Sequence, residues 1–121
     1  FKLHLNFFNK YEKFFIVPKV NKDIKTNFLA YPIIIKKNKI FDRKKLQIYL
    51  EKYNIQTRPI FSGNILRHPA FKIIISNKNK LRSFKNADYI MRHGILIGCH
   101  QGLNYKNIKF IHSKILNLIS K

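Results

Sequence analysis

The sequence has 121 residues, with 25 lysine and arginine residues against 5 aspartate and glutamate residues, which gives a formal net charge of +20. A chain of this length is enough for one domain and too short for two. Its hydrophobic fraction of 45% supports a packed core and excludes a disordered chain, and no apolar run approaches the length of a membrane span. The single cysteine, Cys99, excludes an internal disulfide and predicts a reducing, cytoplasmic location.

The N-terminal part of the chain is predicted to contain a helix followed by a strand. The first residue is Phe1 rather than methionine and no signal segment follows it, so we expect a piece of a longer protein. Residues 2–13 have helical spacing of apolar side chains, and Pro18 ends this pattern after an extended connector. Residues 28–36 are β-branched and aromatic, which predicts a strand. Pro32 cannot donate a hydrogen bond and therefore predicts an edge strand or a bulge.

The middle of the chain predicts a helix, a strand and an irregular loop. Asp42 can cap a helix whose apolar residues recur at helical spacing, and Asn54 can adopt the left-handed conformation that ends it. Residues 55–61 are expected to be extended. Residues 64–71 then predict a short turn of helix that a proline interrupts.

The C-terminal part adds further elements and completes the predicted fold. Residues 73–75 predict a short extended piece, and Asn86 can cap a helix that Gly94 closes. Residues 95–99 predict a buried strand, and an amphipathic helix begins near Asn104. The apolar face of that helix consists of Ile108, Ile111, Ile115 and Leu118. The order of elements predicts an α/β (α+β) two-layer sandwich, in which helices pack on a small sheet.

The positive charge raises the possibility of a nucleic-acid partner. A strongly basic chain binds phosphates by releasing counterions, and Tyr11, Phe14 and Phe15 are interleaved with lysines. Lysines far outnumber arginines, however, and lysine, asparagine, isoleucine and phenylalanine all have A/T-rich codons. A biased genome therefore accounts for much of the charge, and a basic nucleic-acid-binding module is kept as the alternative function.

The titratable residues point away from hydrolytic and metal chemistry. No two of the five acidic residues are placed to form a carboxylate pair, and Asp42 and Glu51 fit a helix cap and a solvated helix residue. The five histidines show no i, i+4 pair, and Cys99 has no second cysteine, so we expect no metal site. The glycines also lack the spacing of a phosphate-binding loop.

Two irregular segments are rich in hydrogen-bonding groups, and both follow predicted strands. They span residues 57–69 and 98–102. Loops at strand ends are where polar groups most often meet a ligand, which makes Arg58, Asn64 and His100 candidates. An alternative stays open from the pattern alone: Arg58 pairs with an acid, Asn64 completes a turn and His100 satisfies the backbone.

Four sequence blocks occur in a distinctive order. They are Ile-Gln-Thr-Arg-Pro at 55–59 leading into Phe-Ser-Gly-Asn at 61–64, Arg-His-Pro-Ala-Phe at 67–71, Asn-Ala-Asp-Tyr-Ile-Met at 86–91 and Gly-Cys-His-Gln-Gly-Leu at 98–103. With these blocks the chain resembles the DegT/DnrJ/StrS family of pyridoxal-phosphate (PLP) enzymes, which act on nucleotide-linked keto sugars. The Gly-Asn after Thr-Arg-Pro is most similar to the 3-dehydratases of CDP- or GDP-linked 4-keto-6-deoxyhexoses.

The resemblance implies a fragment of a larger enzyme. Residues 28–121 would form the small C-terminal domain of a fold type I PLP enzyme, with a mostly antiparallel sheet. Residues 1–27 would be a helix and extended connector from the missing large domain, which binds most of the cofactor. The family's Schiff-base lysine, or the histidine that replaces it in some dehydratases, lies upstream. No catalytic residue is therefore assigned here, and the fragment alone is expected to be inactive.

The resemblance also implies a set of substrate-binding residues. They are Thr57, Arg58, Asn64, Arg67 and His100. Arg58 would offer a planar cation to a phosphate or sugar oxygen. The expected ligand is a nucleotide-linked keto sugar, in a homodimer that makes deoxysugars such as those of lipopolysaccharide. The cofactor would act as an electron sink, for either loss of a hydroxyl or transfer of an amine. Cys99 would not represent the iron–sulfur cysteines of one dehydratase branch.

Overall fold

The computed structural model of the chain describes residues 1–25, 27–71 and 83–120. These residues form four α-helices, four β-strands and two short 3₁₀ turns. The elements are α1 (Lys2–Asn9), β1 (Phe15–Ile16), β2 (Ala30–Ile35), α2 (Arg43–Glu51), β3 (Thr57–Pro59), the 3₁₀ turns Ile65–Arg67 and Pro69–Phe71, α3 (Lys85–His93), β4 (Gly94–Gly98) and α4 (Tyr105–Ile119). None of the described helices is long and apolar enough to cross a membrane.

The four described strands form one antiparallel sheet with the order β1-β2-β4-β3. Ile97 of β4 lies opposite Tyr31 of β2 on one side and opposite Thr57 of β3 on the other. Successive side chains of a strand point to opposite faces, so this register places these three residues on one face of the sheet. The prediction of a small, mostly antiparallel sheet is confirmed.

One face of this sheet and three helices enclose the core. Tyr31, Ile33 and Ile35 alternate with half-buried residues along β2, because only one of its faces is fully covered. The helices α1, α2 and α4 contribute the buried residues Phe8, Leu46, Leu50, Ile108, Ile111, Ile115 and Leu118. Each such side chain contributes about 1.5–3 kcal/mol when it is removed from water. The two-layer sandwich is confirmed, and the boundary at residues 27 and 28 stays a prediction.

The helix ends follow the predicted caps in the middle and at the C-terminus of the chain. The Asp42 carboxylate accepts a hydrogen bond from the Lys45 backbone N–H at 2.7 Å, which begins α2. Asn54, with φ 58°, adopts the left-handed conformation that follows α2. The helix predicted to begin near Asn104 does so, and the structure adds its cap: the side chain of Asn104 accepts from the Asn107 backbone N–H, and the side chain of Asn107 accepts from the Asn104 backbone N–H. These local signals were sufficient because each cap depends on residues three or four positions apart.

The prediction that Pro32 marks an edge strand or a bulge was wrong. The strand β2 lies inside the sheet, and its register with β4 is continuous from Ala30 to Ile34. The neighbouring strand β1 is only two residues long and pairs with Ile34 and Ile35 alone. The short strand β1 therefore ends before it reaches Pro32. Because no β1 residue lies opposite Pro32, the missing N–H of the proline leaves no carbonyl of β1 without a hydrogen bond.

Other boundaries differ from the predictions. The helix α3 begins at Lys85, so Asn86 lies inside it and does not cap it, and the carboxylate of Asp88 lies in its first turn. The connector after α1 contains the short strand β1, and the strand expected over 55–61 is limited to Thr57–Pro59. The extended piece expected at 73–75 lies outside the described residues.

Candidate functional site

A cleft of about 490 Å³ opens at the end of the sheet where β2 and β3 begin and β4 ends. Apolar and polar side chains share its wall, as is usual for small-molecule sites. Its lining consists of Leu29, Ala30, Asn54, Ile55, Gln56, Arg58, Leu96, Ile97, Gly98, His100, Leu103, Asn107, Phe110 and Ile111.

Two adjacent residues of β3, Thr57 and Arg58, point to opposite faces of the sheet. Thr57 is 5% exposed, and its hydroxyl donates to the Glu51 carboxylate at 2.9 Å. Glu51 therefore tethers the start of β3 to α2 and is more than a solvated helix residue. Arg58 is exposed and lines the cleft, and in the described part of the chain its guanidinium makes no hydrogen bond or ion pair. The cleft thus carries an arginine whose donors are free for a ligand.

His100 lies in the turn after β4 and lines the same cleft. Its Nδ1 accepts a hydrogen bond from the Gly102 backbone N–H at 3.2 Å. The ring lies so close to Gly102 that a Cβ at that position would be 3.1 Å from it. The backbone contact and the glycine therefore fix the ring and leave Nε2 as the nitrogen available to a ligand.

Asn64, Arg67 and Asp88 form a separate group, the Asp88 cluster. Asn64 is 2% exposed and donates to the Asp88 carboxylate at 2.7 Å, while its own oxygen accepts from the Leu66 backbone N–H at 3.2 Å. Arg67 donates from Nε and Nη2 to the two carboxylate oxygens of Asp88. The hydrogen bonds from Arg67 and then Asn64 lower the pKa of Asp88 to about 2.

The structure divides the five predicted binding residues among three settings. Arg58 and His100 line one cleft, Asn64 and Arg67 belong to the Asp88 cluster, and Thr57 is buried against α2. The alternatives left open by the sequence hold for Asn64, which completes a turn, and for His100, which also bonds the backbone. Arg58, by contrast, pairs with no acid among the described residues.

Three polar residues of the cleft were missed by the sequence analysis. They are Asn54, Gln56 and Asn107. Asn54 and Asn107 lie at the ends of α2 and α4, where asparagine already has a backbone role. A signal was available, since Asn54 directly precedes the predicted extended segment 55–61, and Asn107 lies in the first turn of the helix predicted to begin near Asn104.

The aromatic residues that suggested nucleic-acid binding are part of the core or already covered. Phe15 is 1% exposed, and Tyr11 and Phe14 pack against the core cluster. The ammonium group of Lys114 lies 4.1 Å from the ring centre of Tyr53. These rings are therefore not arranged as a free platform on which bases could stack.

The sequence as a whole matches a known family. The sequence model that describes the DegT/DnrJ/EryC1/StrS aminotransferase family matches residues 5–116 of this chain. These residues include the cleft residues and the Asp88 cluster. The chain belongs to this family. The family resemblance drawn from the four sequence blocks is therefore confirmed.

Curated relatives in the family are much longer than this chain. The chain is 26% identical over 102 residues to the lipopolysaccharide biosynthesis protein RfbH of Salmonella typhimurium, which covers 84% of this chain and 23% of RfbH. It is also 26% identical over 106 residues to the dTDP-4-dehydro-2,6-dideoxy-D-glucose 3-dehydratase of Saccharopolyspora spinosa, covering 88% of this chain and 22% of that enzyme. The chain thus spans under a quarter of each relative.

Solved structures of the family share the fold. The chain superposes on the E. coli GDP-4-keto-6-deoxy-D-mannose-3-dehydratase with bound hydrated PLP with a TM-score of 0.64 and 24% identity, covering 93% of this chain and 29% of that one. A variant of the same type of enzyme, ColD, with bound GDP-perosamine gives a TM-score of 0.65, covering 94% and 29%. The expected similarity to sugar 3-dehydratases is confirmed, and the shared fold is that of a part of these enzymes.

Proposed function

We propose that this chain is the C-terminal small domain of a PLP-dependent enzyme that modifies a nucleotide-linked 4-keto-6-deoxyhexose, by 3-dehydration or transamination. The chain belongs to a family of such enzymes and covers about 29% of the length of the solved structures compared. Its share of the work is to cover the active site and to hold the substrate. By itself the chain is inactive.

The observation that carries this proposal is that Arg58, whose guanidinium has no hydrogen-bond or ion-pair partner among the described residues, lines the same cleft as His100. A guanidinium with five free N–H donors suits a diphosphate or a sugar oxygen, because it can bond two acceptors in one plane. The Nε2 of His100 and the amides of the cleft can supply further hydrogen bonds to sugar hydroxyls. Thr57, Asn64 and Arg67 then support the loops around the substrate.

The residues of the cleft fit a place beside the cofactor and do not fit its covalent anchor. Among the described residues that line the cleft there is no lysine. The family resemblance implies that the Schiff-base lysine, or the histidine in its place, lies in upstream polypeptide. When bound there, PLP supplies an electron sink that stabilises a carbanion. Arg58 would neutralise phosphate charge and help to orient the sugar.

The remaining features of the proposal concern the parent protein. We place it in the cytoplasm as a homodimer, with active sites at the subunit boundary and a nucleotide-linked keto sugar as its partner. Its product would be a deoxysugar for lipopolysaccharide or a related glycan. The domain boundary near residues 27 and 28 is part of the same proposal.

The test uses the full-length protein with PLP, an amino donor and CDP- or GDP-linked 4-keto-6-deoxyhexose. We expect a visible absorption band of bound cofactor and turnover of the sugar nucleotide. Arg58→Ala should lower kcat/KM by roughly 10- to 100-fold, because a hydrogen bond to a charged group contributes about 1.5–3 kcal/mol. Its unfolding midpoint should remain unchanged, because Arg58 has no partner in the described fold.

Lys44→Ala is the matched control for this test. It removes the same charge from an exposed position on α2 that does not line the cleft, and its kinetics should equal those of the parent. Absence of cofactor binding, with or without the amino donor, would reject the proposed activity. Unchanged kinetics of Arg58→Ala would instead remove only Arg58 from the site.

A further inference from the structure

Two histidines from opposite ends of the chain meet in the core. Nδ1 of His4, in α1, lies 2.9 Å from Nε2 of His112, in α4. Nε2 of His4 lies 3.0 Å from the backbone oxygen of Gly98, the last residue of β4. His4 is fully buried and His112 is 7% exposed. Two linked hydrogen bonds therefore join the helices α1 and α4 to the end of β4, which leads to His100.

The backbone carbonyl of Gly98 determines which ring nitrogens of His4 and His112 carry protons. A carbonyl oxygen can only accept, so Nε2 of His4 carries a proton and donates it to Gly98. In the neutral ring, Nδ1 of His4 is then an acceptor, and Nε2 of His112 must donate to it. Both rings therefore carry their proton on Nε2, which is a prediction of the geometry alone.

The surroundings of both rings oppose a positive charge. Burial lowers the pKa of each ring to about 4. For His4 the hydrogen bond to Gly98 opposes this effect. For His112 the neighbouring His4 and the ammonium group of Lys109 lower the pKa further. Both rings are uncharged at neutral pH.

Two other titratable groups near the pair, Tyr31 and Cys99, are uncharged. The ring centre of Tyr31, in β2, lies 5.2 Å from that of His4, and Cys99 follows Gly98. Burial raises the pKa of both the Tyr31 phenol and the Cys99 thiol. In the described part of the chain neither imidazole hydrogen-bonds a carboxylate. A proton taken up by the pair would thus have no counter-charge to stabilise it.

We propose that His4 and His112 are positioning residues for the cleft: as two uncharged rings they hold the carbonyl of Gly98, and thereby the turn 99–103, and protonation breaks the link between the two rings and so weakens this support. A proton on Nδ1 of His4 would face the N–H of His112 and break their hydrogen bond. A proton on His112 would place a charge in the core. The turn bears His100 and Leu103, which line the cleft. This role goes beyond the proposed reaction and does not depend on it.

A pair of variants in the full-length protein separates positioning from general packing. His112→Gln keeps an N–H donor near the position of Nε2, whereas His112→Leu keeps bulk and loses the donor. Hydrogen exchange should show roughly tenfold or more loss of protection at the amides of Gly102 and Leu103 in His112→Leu. His112→Gln should retain protection within about twofold. An equal loss throughout the domain, including helix α2, would overturn the proposal, as would equal behaviour of the two variants.

The pH dependence provides a second test. The rings take up protons more readily when released, because their pKa values are lowered from 6.5 to about 4 in the fold. Below pH 6.5 the opening equilibrium of the turn should rise by up to about tenfold per pH unit for each proton gained. His112→Gln removes one titrating ring and should weaken this dependence. Protection that stays constant from about pH 7 to pH 5 would contradict the proposal.

The proton positions can be observed directly. Nitrogen-15 NMR of selectively labelled histidine in the full-length protein, assigned with the His112→Gln variant, distinguishes the two tautomers. We expect neutral rings with the proton on Nε2 for both residues at neutral pH. A charged ring, or a proton on Nδ1 of either residue, would exclude the arrangement.

Discussion

Two arginines that follow each other closely in the chain have opposite roles. Arg67 donates to both carboxylate oxygens of Asp88, and Asn64 donates to the same carboxylate. Arg58 lines the cleft without a hydrogen-bond partner in the described residues. The donors of Arg67 are already used on Asp88, whereas those of exposed Arg58 can exchange water for a ligand, so Arg58 is the better candidate for ligand binding. The paired arginine stabilises the loop that follows β3.

The two regions also differ in what holds their backbones. The loop of the Asp88 cluster is fixed by side chains from α3, whereas the turn 99–103 is fixed by backbone contacts and by the His4–His112 pair. A substitution in the first region should therefore change stability, and one in the cleft should change ligand binding. The following substitutions test this division, beginning with the largest expected effect.

Gly63→Ala should have the largest effect on stability. Gly63 has φ 68°, where an alanine costs about 1–2 kcal/mol. An added Cβ would also lie 2.7 Å from Cγ of Met91, which is closer than atoms can pack. We expect the free energy of unfolding to fall by about 2–3 kcal/mol, measured by chemical denaturation of the full-length protein.

The control for this substitution is Ser62→Ala, at an exposed neighbouring position. It should leave the unfolding midpoint unchanged. A stable Gly63→Ala protein with impaired substrate binding would place this loop in the site instead and would remove the distinction between the two regions.

Asn64→Ala should have the next largest effect. It removes the donor to Asp88 and the acceptor for the Leu66 backbone N–H from a position that is 2% exposed. We expect a loss of about 1–2 kcal/mol of unfolding free energy and little change in KM for the sugar nucleotide. Denaturation and steady-state kinetics measure the two quantities. A rise in KM comparable to that of Arg58→Ala, with unchanged stability, would assign Asn64 to the substrate.

The sequence predicted what depends on neighbours along the chain. Asp42, Asn54 and Asn104 mark helix ends because a cap is satisfied within one turn of backbone. Pro32 was misplaced because its fit depends on how far another strand extends. That strand, β1, is two residues long and comes from a distant part of the sequence. The strand propensity of residues 28–36 carries no information on how far β1 extends beside them.

The site was predictable only in part for the same reason. Arg58 and His100 were named as candidates because their segments follow predicted strands. The structure places Arg58 within β3 and His100 in the turn after β4, and both line one cleft, while their binding of substrate stays a prediction. The Asp88 cluster joins residues 24 and 21 positions apart, and the histidine pair joins residues 108 positions apart. Such contacts have no signature in a periodic pattern, so Asn64 was grouped with the cleft from its place in a loop, and Arg67 from the resemblance.

The free energy of unfolding should depend on pH differently for the Asp88 cluster and for the His4–His112 pair beside the cleft. This is the smallest of the expected effects. The pKa of Asp88 is lowered from 3.8 to about 2, so the folded state binds this proton less readily than the unfolded state. The stabilisation is therefore complete above about pH 4 and is lost as pH falls toward 2, below the range in which the histidine pair titrates. It should be small, because exposed ion pairs are screened by solvent.

Asp88→Asn isolates this effect, with Asp23→Asn as the control at an exposed carboxylate. Urea unfolding of the full-length protein should show Asp88→Asn less stable than the parent above about pH 4, and the difference should shrink as pH falls toward 2. A constant difference between these pH values would mean that the Asp88 cluster acts through packing. The Asp88 cluster and the cleft would then differ because the guanidinium of Arg58 has no partner among the described residues, and the charge of Asp88 would no longer be part of the difference.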